Sequence, residues 1–378
     1  MHVVFRVDAS LQIGTGHVMR CLSLAEGLKT KNAKVSFICR DLDGNLIKLI
    51  ENKGFLVHVI SVKPYPSYSI SNYKDYKSSD LMIDASQTIE TLKNINVDWL
   101  VVDHYDIDYR WESELRKHVK SILVIDDLAD REHNCDVLLD QNWFGAETIA
   151  RYDHLLPKDC IRLLGPDFAL LSKEYTAARK NKKMHNGQIK KILIFMGGVD
   201  SRKQTFEALK ALCQEELKYV AVDVVIGTLN KDINKIINIA SNRKNTTIHK
   251  LLPGLAELMM NADLMLCAGG STTWERCCLG LPAIVVITAK NQSKCSKLLA
   301  KAGIHLLLDG SKKNGHDDWL MKVSELACDS EKVKEMSILS SDLVDGEGVG
   351  RVLSVLHGFS IPINTKKPSE DNEKLLFD

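Results

Sequence analysis

RVDASLQIGTGHVMRC, residues 6–21, is the stretch whose reading decides the fold. It begins at the end of a short apolar run, HVVFRVD (residues 2–8), and crosses a loop that contains Gly14 and Gly16. It leaves through HVMRCLSLAEGLKTK (residues 17–31), where Met19, Leu22, Leu24, Ala25 and Leu28 recur at helical spacing on one face. Strand, glycine loop and helix in that order open a βαβ unit. The glycines permit tight turns and close approach of a ligand, and a helix start offers free N–H groups to an anion. This is not the dinucleotide fingerprint, because GTGHVM lacks the third glycine of GxGxxG, and GxxxxGK[ST] occurs nowhere in the chain. What sets the loop apart is His17, in the first helical turn, where its ring can face a cleft. The plain alternative is a histidine that only caps the helix or meets solvent.

Outward from this unit the alternation continues. KVSFICR (34–40) reads as a strand, NLIKLIENKG (45–54) as a helix stopped by Gly54, and FLVHVI, WLVVDH, SILVIDD and DVLLDQN as further short strands ending in polar residues. Such β-α-β alternation implies a parallel sheet covered by helices on both faces. Residues 173–188 are charged and poor in core residues, and read as an interdomain linker. A second alternation follows: IKKILIFMGG, a helix over about 203–216, AVDVVIG, a helix over about 231–241, TTIHKLL, GLAELMMNA as a helix, DLMLCAGG, TTWERCCLG as a helix, and PAIVVI. The expected organisation is an N-terminal Rossmann-like domain (1–172), the linker (173–188) and a C-terminal Rossmann-like domain (189–335). A C-terminal helix within 336–360 packs back on the N-terminal domain, and 361–378 is a disordered tail. The class is α/β, two Rossmann-like parallel-sheet domains facing across a cleft. Ligands of such sheets sit beyond the carboxyl ends of the strands, and each polar cluster in this chain follows an apolar run.

Length and composition agree with two ordinary cores: 378 residues, 45% hydrophobic and 26% charged. Fifty basic side chains nearly cancel 49 acidic ones, leaving a formal charge of +1. That balance gives no footprint for nucleic acid or an anionic membrane, so an anionic ligand has to be held by a local site. MHVVFRVDAS lacks the apolar region of a signal peptide, and no run of 18 apolar residues is present, so no membrane-spanning helix is expected. The ten cysteines form no CxxC pair and read as core residues in a reducing cytosol. A cytoplasmic monomer or weak oligomer is expected.

Three further constellations carry chemistry. In LCAGGSTTWERCCLGLP (266–282), Gly269, Gly270 and Ser271 follow a strand and Thr272-Thr273 open a helix containing Glu275. A glycine turn, hydroxyls and a helix start make a diphosphate cradle, and Glu275, one turn in, is placed to accept from a ribose diol. In FMGGVDSRKQT (195–205), Gly197-Gly198 end a strand facing the same cleft, and Asp200 or Ser201 caps the next helix. The third set lies in the first domain: Asp103, His104 and Tyr105, then Asp126 and Asp127, then Gln141 and Asn142, each after a strand. Their spacing fits no metal template, and the arginine of DDLADR is set to pair with an acid, so neither a metal nor another cofactor is expected.

Taken together, RVDASLQIGTGHVMRCLSLA, VVDHYDIDYRWE, VIDDLADREHNCDVLLDQN, GPDFALL, MGGVDS and GGSTTWERCCLGLP resemble, in order and spacing, the UDP-2,4-diacetamido-2,4,6-trideoxy-β-L-altropyranose hydrolase family of pseudaminic acid biosynthesis. The resemblance spans roughly residues 1–355 and is most specific in the GxGHxMRC segment. It implies the GT-B fold of the UDP-GlcNAc transferase that forms lipid II. It implies metal-independent hydrolysis at the anomeric C–O bond with inversion. It implies a catalytic role for His17 and a nucleotide site at Gly269, Gly270, Ser271, Thr272 and Glu275, with Asn291 and Gln292 near the sugar or phosphates.

The chemistry is consistent. UDP leaves readily, so a strong general acid is not required, and backbone N–H groups of the second domain can meet its developing charge. Water needs a base, and histidine as a residue type titrates near working pH. Asp8 or Asp127 would orient the ring, with Asp103 and Tyr105 as further support. The alternatives are a UDP-sugar glycosyltransferase on the same fold, which would show a basic apolar docking patch that this sequence lacks, and a non-catalytic UDP-sugar sensor. NAD-dependent oxidoreduction ranks last for want of a fingerprint.

Overall fold

The computed structural model describes residues 1–61, 78–182, 185–200, 202–227, 229–250, 252, 254–308 and 314–358. The expected tail over 361–378, and Ser201 as a helix cap, lie outside them. The N-terminal domain is a seven-stranded parallel sheet of β1 (His2–Val7), β2 (Lys34–Arg40), β3 (Leu56–Ile60), β4 (Val97–Asp103), β5 (Val119–Ile125), β6 (Val137–Asp140) and β7 (Ile161–Leu164), in the order β3-β2-β1-β4-β5-β6-β7. The second domain repeats the plan with β8 (Lys191–Phe195), β9 (Ala221–Ile226), β10 (Thr246–Lys250), β11 (Leu264–Ala268), β12 (Ala283–Val286) and β13 (Leu306–Leu307), ordered β10-β9-β8-β11-β12-β13. All pairings between these strands are parallel. The central strands are runs of Val, Ile, Leu and Phe because each is covered on both faces, whereas the edge strands β3 and β10 are partly exposed. In β1, Val3, Phe5 and Val7 join one apolar layer while Val4 joins the layer on the opposite face.

In each sheet the strand order reverses once, between β1 and β4 and between β8 and β11. Those reversals open crevices at the carboxyl ends of the strands, the usual place for a ligand in doubly wound sheets. The chain also crosses back. The helix Gly348–Leu356 puts Val352 and Leu356 into the core layer that holds Val3 and Phe5, and the Trp99 indole donates to the Leu356 carbonyl at 3.1 Å. The helix before it, Ser330–Leu343, packs instead on the helix Thr272–Cys278 of the second domain. The segment 336–360 therefore holds the end of one helix and the whole of another.

Three local expectations change. Met19 is 37% exposed and is not part of the buried face of its helix. The helix expected over 203–216 ends at Ala211, and a separate 3₁₀ turn covers Glu215–Leu217. Between the two sheets, Lys173–Lys180 is helical and buries Tyr175 among Leu255, Met259 and Trp274, a contact that local composition cannot foretell. Among the described residues no helix is long and apolar enough to cross a membrane.

Candidate active site

Val7 and Asp103 are register partners at the ends of β1 and β4, so whatever follows β1 meets whatever ends β4. The chain leaves β1, turns at Gly14 and enters the helix Gly16–Thr30. Gly14 has φ +83, a left-handed conformation that suits glycine, and its N–H donates to the Ser10 carbonyl at 2.9 Å. His17, Arg20 and Cys21 then stand at i, i+3 and i+4 on one helix face. All three converge on Asp103. His17 Nδ1 lies 2.6 Å from Oδ1, Arg20 spans the carboxylate with Nε and Nη2 at 2.6 Å each, and the Cys21 thiol donates to Oδ2 at 3.5 Å. The HxxRC spacing is thus one helix face folded around one acid. The cluster is nearly sealed: His17 and Arg20 are 7% exposed and Asp103 1%.

Burial works against the charge of Asp103, but Arg20 and then His17 more than offset it and hold the carboxyl well below the usual range. An ionised carboxylate only accepts, so the 2.6 Å contact assigns the proton to His17 Nδ1. In the neutral ring Nε2 is then the acceptor, and among the described residues it has no hydrogen-bond partner. Tyr105 stands edge-on to the imidazole, with ring centres 4.5 Å apart. Its hydroxyl is hydrogen-bonded to Asp127, and burial together with that carboxylate pushes the phenol well above its ordinary pKa. Asp127 also accepts from Arg20 Nη1 at 3.0 Å.

The acid that orients the ring is therefore Asp103, and neither Asp8 nor Asp127 does so. Asp8 shares the face of β1 that carries Val4 and Arg6, away from the first helix. Its carboxylate accepts from Arg6 Nη2 at 2.9 Å and from the Arg40 N–H at 2.7 Å, and His104 Nε2 lies 3.2 Å away. Asp127 reaches His17 only through Arg20 and Tyr105. Of the remaining first-domain acids, Asp126 pairs with Arg131 at 2.9 Å and Asp140 with Arg151 at 2.7 Å, and Gln141 accepts from the Leu170 N–H at 3.0 Å. Among the described residues no group of three or more potential metal ligands occurs.

The second domain brings its own glycine turns to this place, again from the two strands at the reversal. A Cβ on Gly198, after β8, would stand 3.2 Å from Thr15 Cγ2, and a Cβ on Gly16 would stand 3.6 Å from Ser271 Oγ. The two loops thus face each other at contact distance. Gly269, after β11, cannot carry a side chain, because a Cβ would lie 2.4 Å from Ser296 Oγ, whereas Gly270 has open space with Gln292 Nε2 nearest at 3.9 Å. Ser271 and Thr272 lead into the helix Thr272–Cys278. Glu275 accepts from the Tyr175 hydroxyl, and burial, reinforced by Glu174, pushes its carboxyl up to about 7. Gln292 is fixed by its amide oxygen, which accepts from the Thr288 N–H and hydroxyl at 3.0 Å each. Asn291 crosses the cleft and donates to the Tyr105 hydroxyl at 3.0 Å. Asp200 accepts from the N–H groups of Gln204 and Thr205 at 2.8 and 2.9 Å, and so caps the next helix.

Arg20, Cys21 and Tyr175 were not among the expected site residues. The first two had a signal, the i, i+3, i+4 spacing from His17. Tyr175 had none, lying in a segment read as linker.

Residues 177–342 match the glycosyltransferase family 28 C-terminal domain. The UDP-2,4-diacetamido-2,4,6-trideoxy-β-L-altropyranose hydrolase of Campylobacter jejuni is 27% identical over 306 residues, covering 80% of this chain and 97% of that protein. The spore coat polysaccharide biosynthesis protein SpsG of Bacillus subtilis is 24% identical over 371 residues, covering 94% of this chain and 98% of its own. Among solved structures, MurG of Acinetobacter baumannii superposes with a TM-score of 0.61 at 15% identity, over 95% of this chain and 99% of its own. The UDP-GlcNAc 2-epimerase of Neisseria meningitidis, solved with UDP-GlcNAc, superposes with 0.63 at 13% identity, over 95% and 100%. The fold is GT-B, two parallel-sheet α/β domains facing each other, and the second of them is similar to the glycosyltransferase family 28 C-terminal domain. The resemblance first carried by the motifs extends over 80% of the chain.

Proposed function

We propose that this chain, a relative of the UDP-diacetamido-trideoxy-altropyranose hydrolases, releases UDP from a UDP-linked diacetamido-trideoxy-hexose in nonulosonic (pseudaminic) acid biosynthesis. The observation that carries this is the Asp103–His17 pair, Nδ1 on the carboxylate and Nε2 without a partner among the described residues, at the crevice where the two domains meet. Water gives a proton to Nε2 as its oxygen attacks the anomeric carbon from the face opposite UDP. The anomeric C–O bond breaks, its electron pair leaves on UDP, and the sugar is released with inverted configuration. Asp103 stabilises the imidazolium that forms, without itself taking the proton.

The diphosphate lies at Gly269, Gly270, Ser271 and Thr272, with Gly198 and the Gly14–Gly16 loop closing over it. Backbone N–H groups there meet the charge that develops on UDP. Glu275, as carboxylate, accepts from the ribose diol, while Asn291, Gln292 and Tyr105 face the sugar and phosphates. No metal takes part, and the work is done in the cytoplasm by a monomer or weak oligomer.

His17→Ala is expected to keep its affinity for UDP and lose at least about 10²-fold in turnover. Near-normal turnover, with UDP binding checked by calorimetry, removes His17 as the base. A second function, transfer of the sugar to an acceptor, is favoured by the glycosyltransferase family 28 match over 177–342. Multiple-turnover UDP release without an acceptor supports hydrolysis, and release only when an acceptor is added supports transfer.

A further inference from the structure

Among the described residues five arginines are buried, and four of them are accounted for by their partners. Arg6 and Arg40 bind Asp84, Arg20 binds Asp103 and Asp127, and Arg243 is satisfied by backbone carbonyls of Leu212, Leu217, Val220 and Lys244 at 2.8 to 3.1 Å. Arg276 is different. It is 0% exposed, Nη2 donates to His305 Nδ1 at 2.8 Å, Nη1 reaches the Ile304 carbonyl only at 3.5 Å, and Nε has no partner among the described residues. None of these partners is a carboxylate. His305 cannot supply the missing charge, because an imidazole that accepts at Nδ1 and donates from Nε2 to the Ser296 carbonyl, at 3.0 Å, is neutral. Burial and then Arg276 itself push its pKa well below the usual value, in keeping with that.

The position of this cation is specific. It lies beside Cys267 on β11, two residues ahead of Gly269 on the same face of the strand. Through His305 it reaches Ser296, whose Oγ stands where a Cβ on Gly269 would be, at 2.4 Å. Both routes end under the same glycine. A buried charge without a counter-ion is costly to the free protein, and solvent screens its field poorly.

We infer that Arg276 is a positioning residue that supplies a fixed positive charge beneath the Gly269–Thr272 loop, where the diphosphate of a nucleoside diphosphate ligand provides the missing counter-charge. The inference rests on the nucleotide site placed there under Proposed function. It assigns selectivity for charge: UDP over UMP, and UMP over uridine, with no contact between Arg276 and the ligand.

The test is calorimetric binding of UDP, UMP and uridine to the full-length wild-type protein, Arg276→Met and Arg276→Lys. Arg276→Met is expected to weaken UDP by about 10-fold or more while uridine stays within about 2-fold, and Arg276→Lys to keep most of the UDP affinity. Because Arg276→Met removes an uncompensated buried charge, its free form is expected to melt no lower than wild type. If Arg276→Met does not fold, His305→Asp places a counter-ion beside the intact arginine and is expected to weaken UDP but not uridine. Parallel loss of UDP and uridine, unchanged UDP affinity, or a lower melting midpoint with the UDP preference kept would each overturn the inference. Failure of wild type to bind UDP at all would instead overturn the nucleotide site on which it rests.

Discussion

Asp103 and Asp8 are both acids at strand ends beside the histidine loop, and they have opposite duties. Residues of β1 alternate between its two faces, so Asp8 goes with Val4 and Arg6, while Asp103 goes with Val101 on the face covered by the first helix. That parity was present in the sequence, but using it required knowing that β4 lies beside β1. The two acids should separate by experiment. Asp103→Asn is expected to fold, to bind UDP, and to lose about 10²-fold or more in kcat, since an amide no longer fixes the ring tautomer or stabilises an imidazolium. Asp8→Asn breaks a buried cluster and is expected to cost about 3 kcal/mol in denaturant unfolding while leaving kcat of the folded protein within a few-fold. Equal kinetic loss in both variants would contradict the division of roles. Glu275 gives a pH signature. Its carboxyl is pushed up to about 7 in the free protein, so below that it carries a proton and loses acceptor capacity. UDP affinity is therefore expected to rise with pH through about 7 and level off above it, and Glu275→Gln to flatten the profile in calorimetry.

At the scale of elements, the two glycines of the histidine loop do different work. Gly14 sits at φ +83, which an L side chain adopts only with strain, whereas Gly16 begins the helix with its nearest Cβ neighbour 3.6 Å away. Gly14→Ala is expected to cost about 1 kcal/mol and to move the loop, lowering turnover. Gly16→Ala is expected to leave the melting temperature nearly unchanged, and a larger loss there than at Gly14 would reverse the assignment. The strands around this loop were legible because each is a short apolar run bounded by polar residues. Ile161–Leu164, four residues at the sheet edge, and the helix Lys173–Lys180 were not. The helix is amphipathic around a single buried aromatic, and Tyr175 acquires its meaning only when Glu275, a hundred residues later in the chain, folds against it.

At the scale of the molecule, two similar sheets meet at their strand-order reversals, and every glycine turn that the sequence singled out lies at that meeting: Gly14 and Gly16 from one side, Gly197, Gly198, Gly269 and Gly270 from the other. The Asn291–Tyr105 hydrogen bond and the Lys294–Glu147 ion pair, at 2.5 Å, cross between the domains. The final helix returns to the first domain, so the chain ends by tying together the two halves of the cleft. The individual motifs were legible in the sequence. Their meeting across one cleft was expected too, but the pairing of His17 with Asp103 was not, since it depends on strand order, which periodicity does not encode. The central claim is that His17 directs water to the anomeric carbon. Its most direct test is turnover of a UDP-diacetamido-trideoxy-hexose in H₂¹⁸O, with the label followed by mass spectrometry. The expected result is ¹⁸O on the released sugar and none on UDP; ¹⁸O on UDP would mean attack at phosphorus and would contradict the role given to His17.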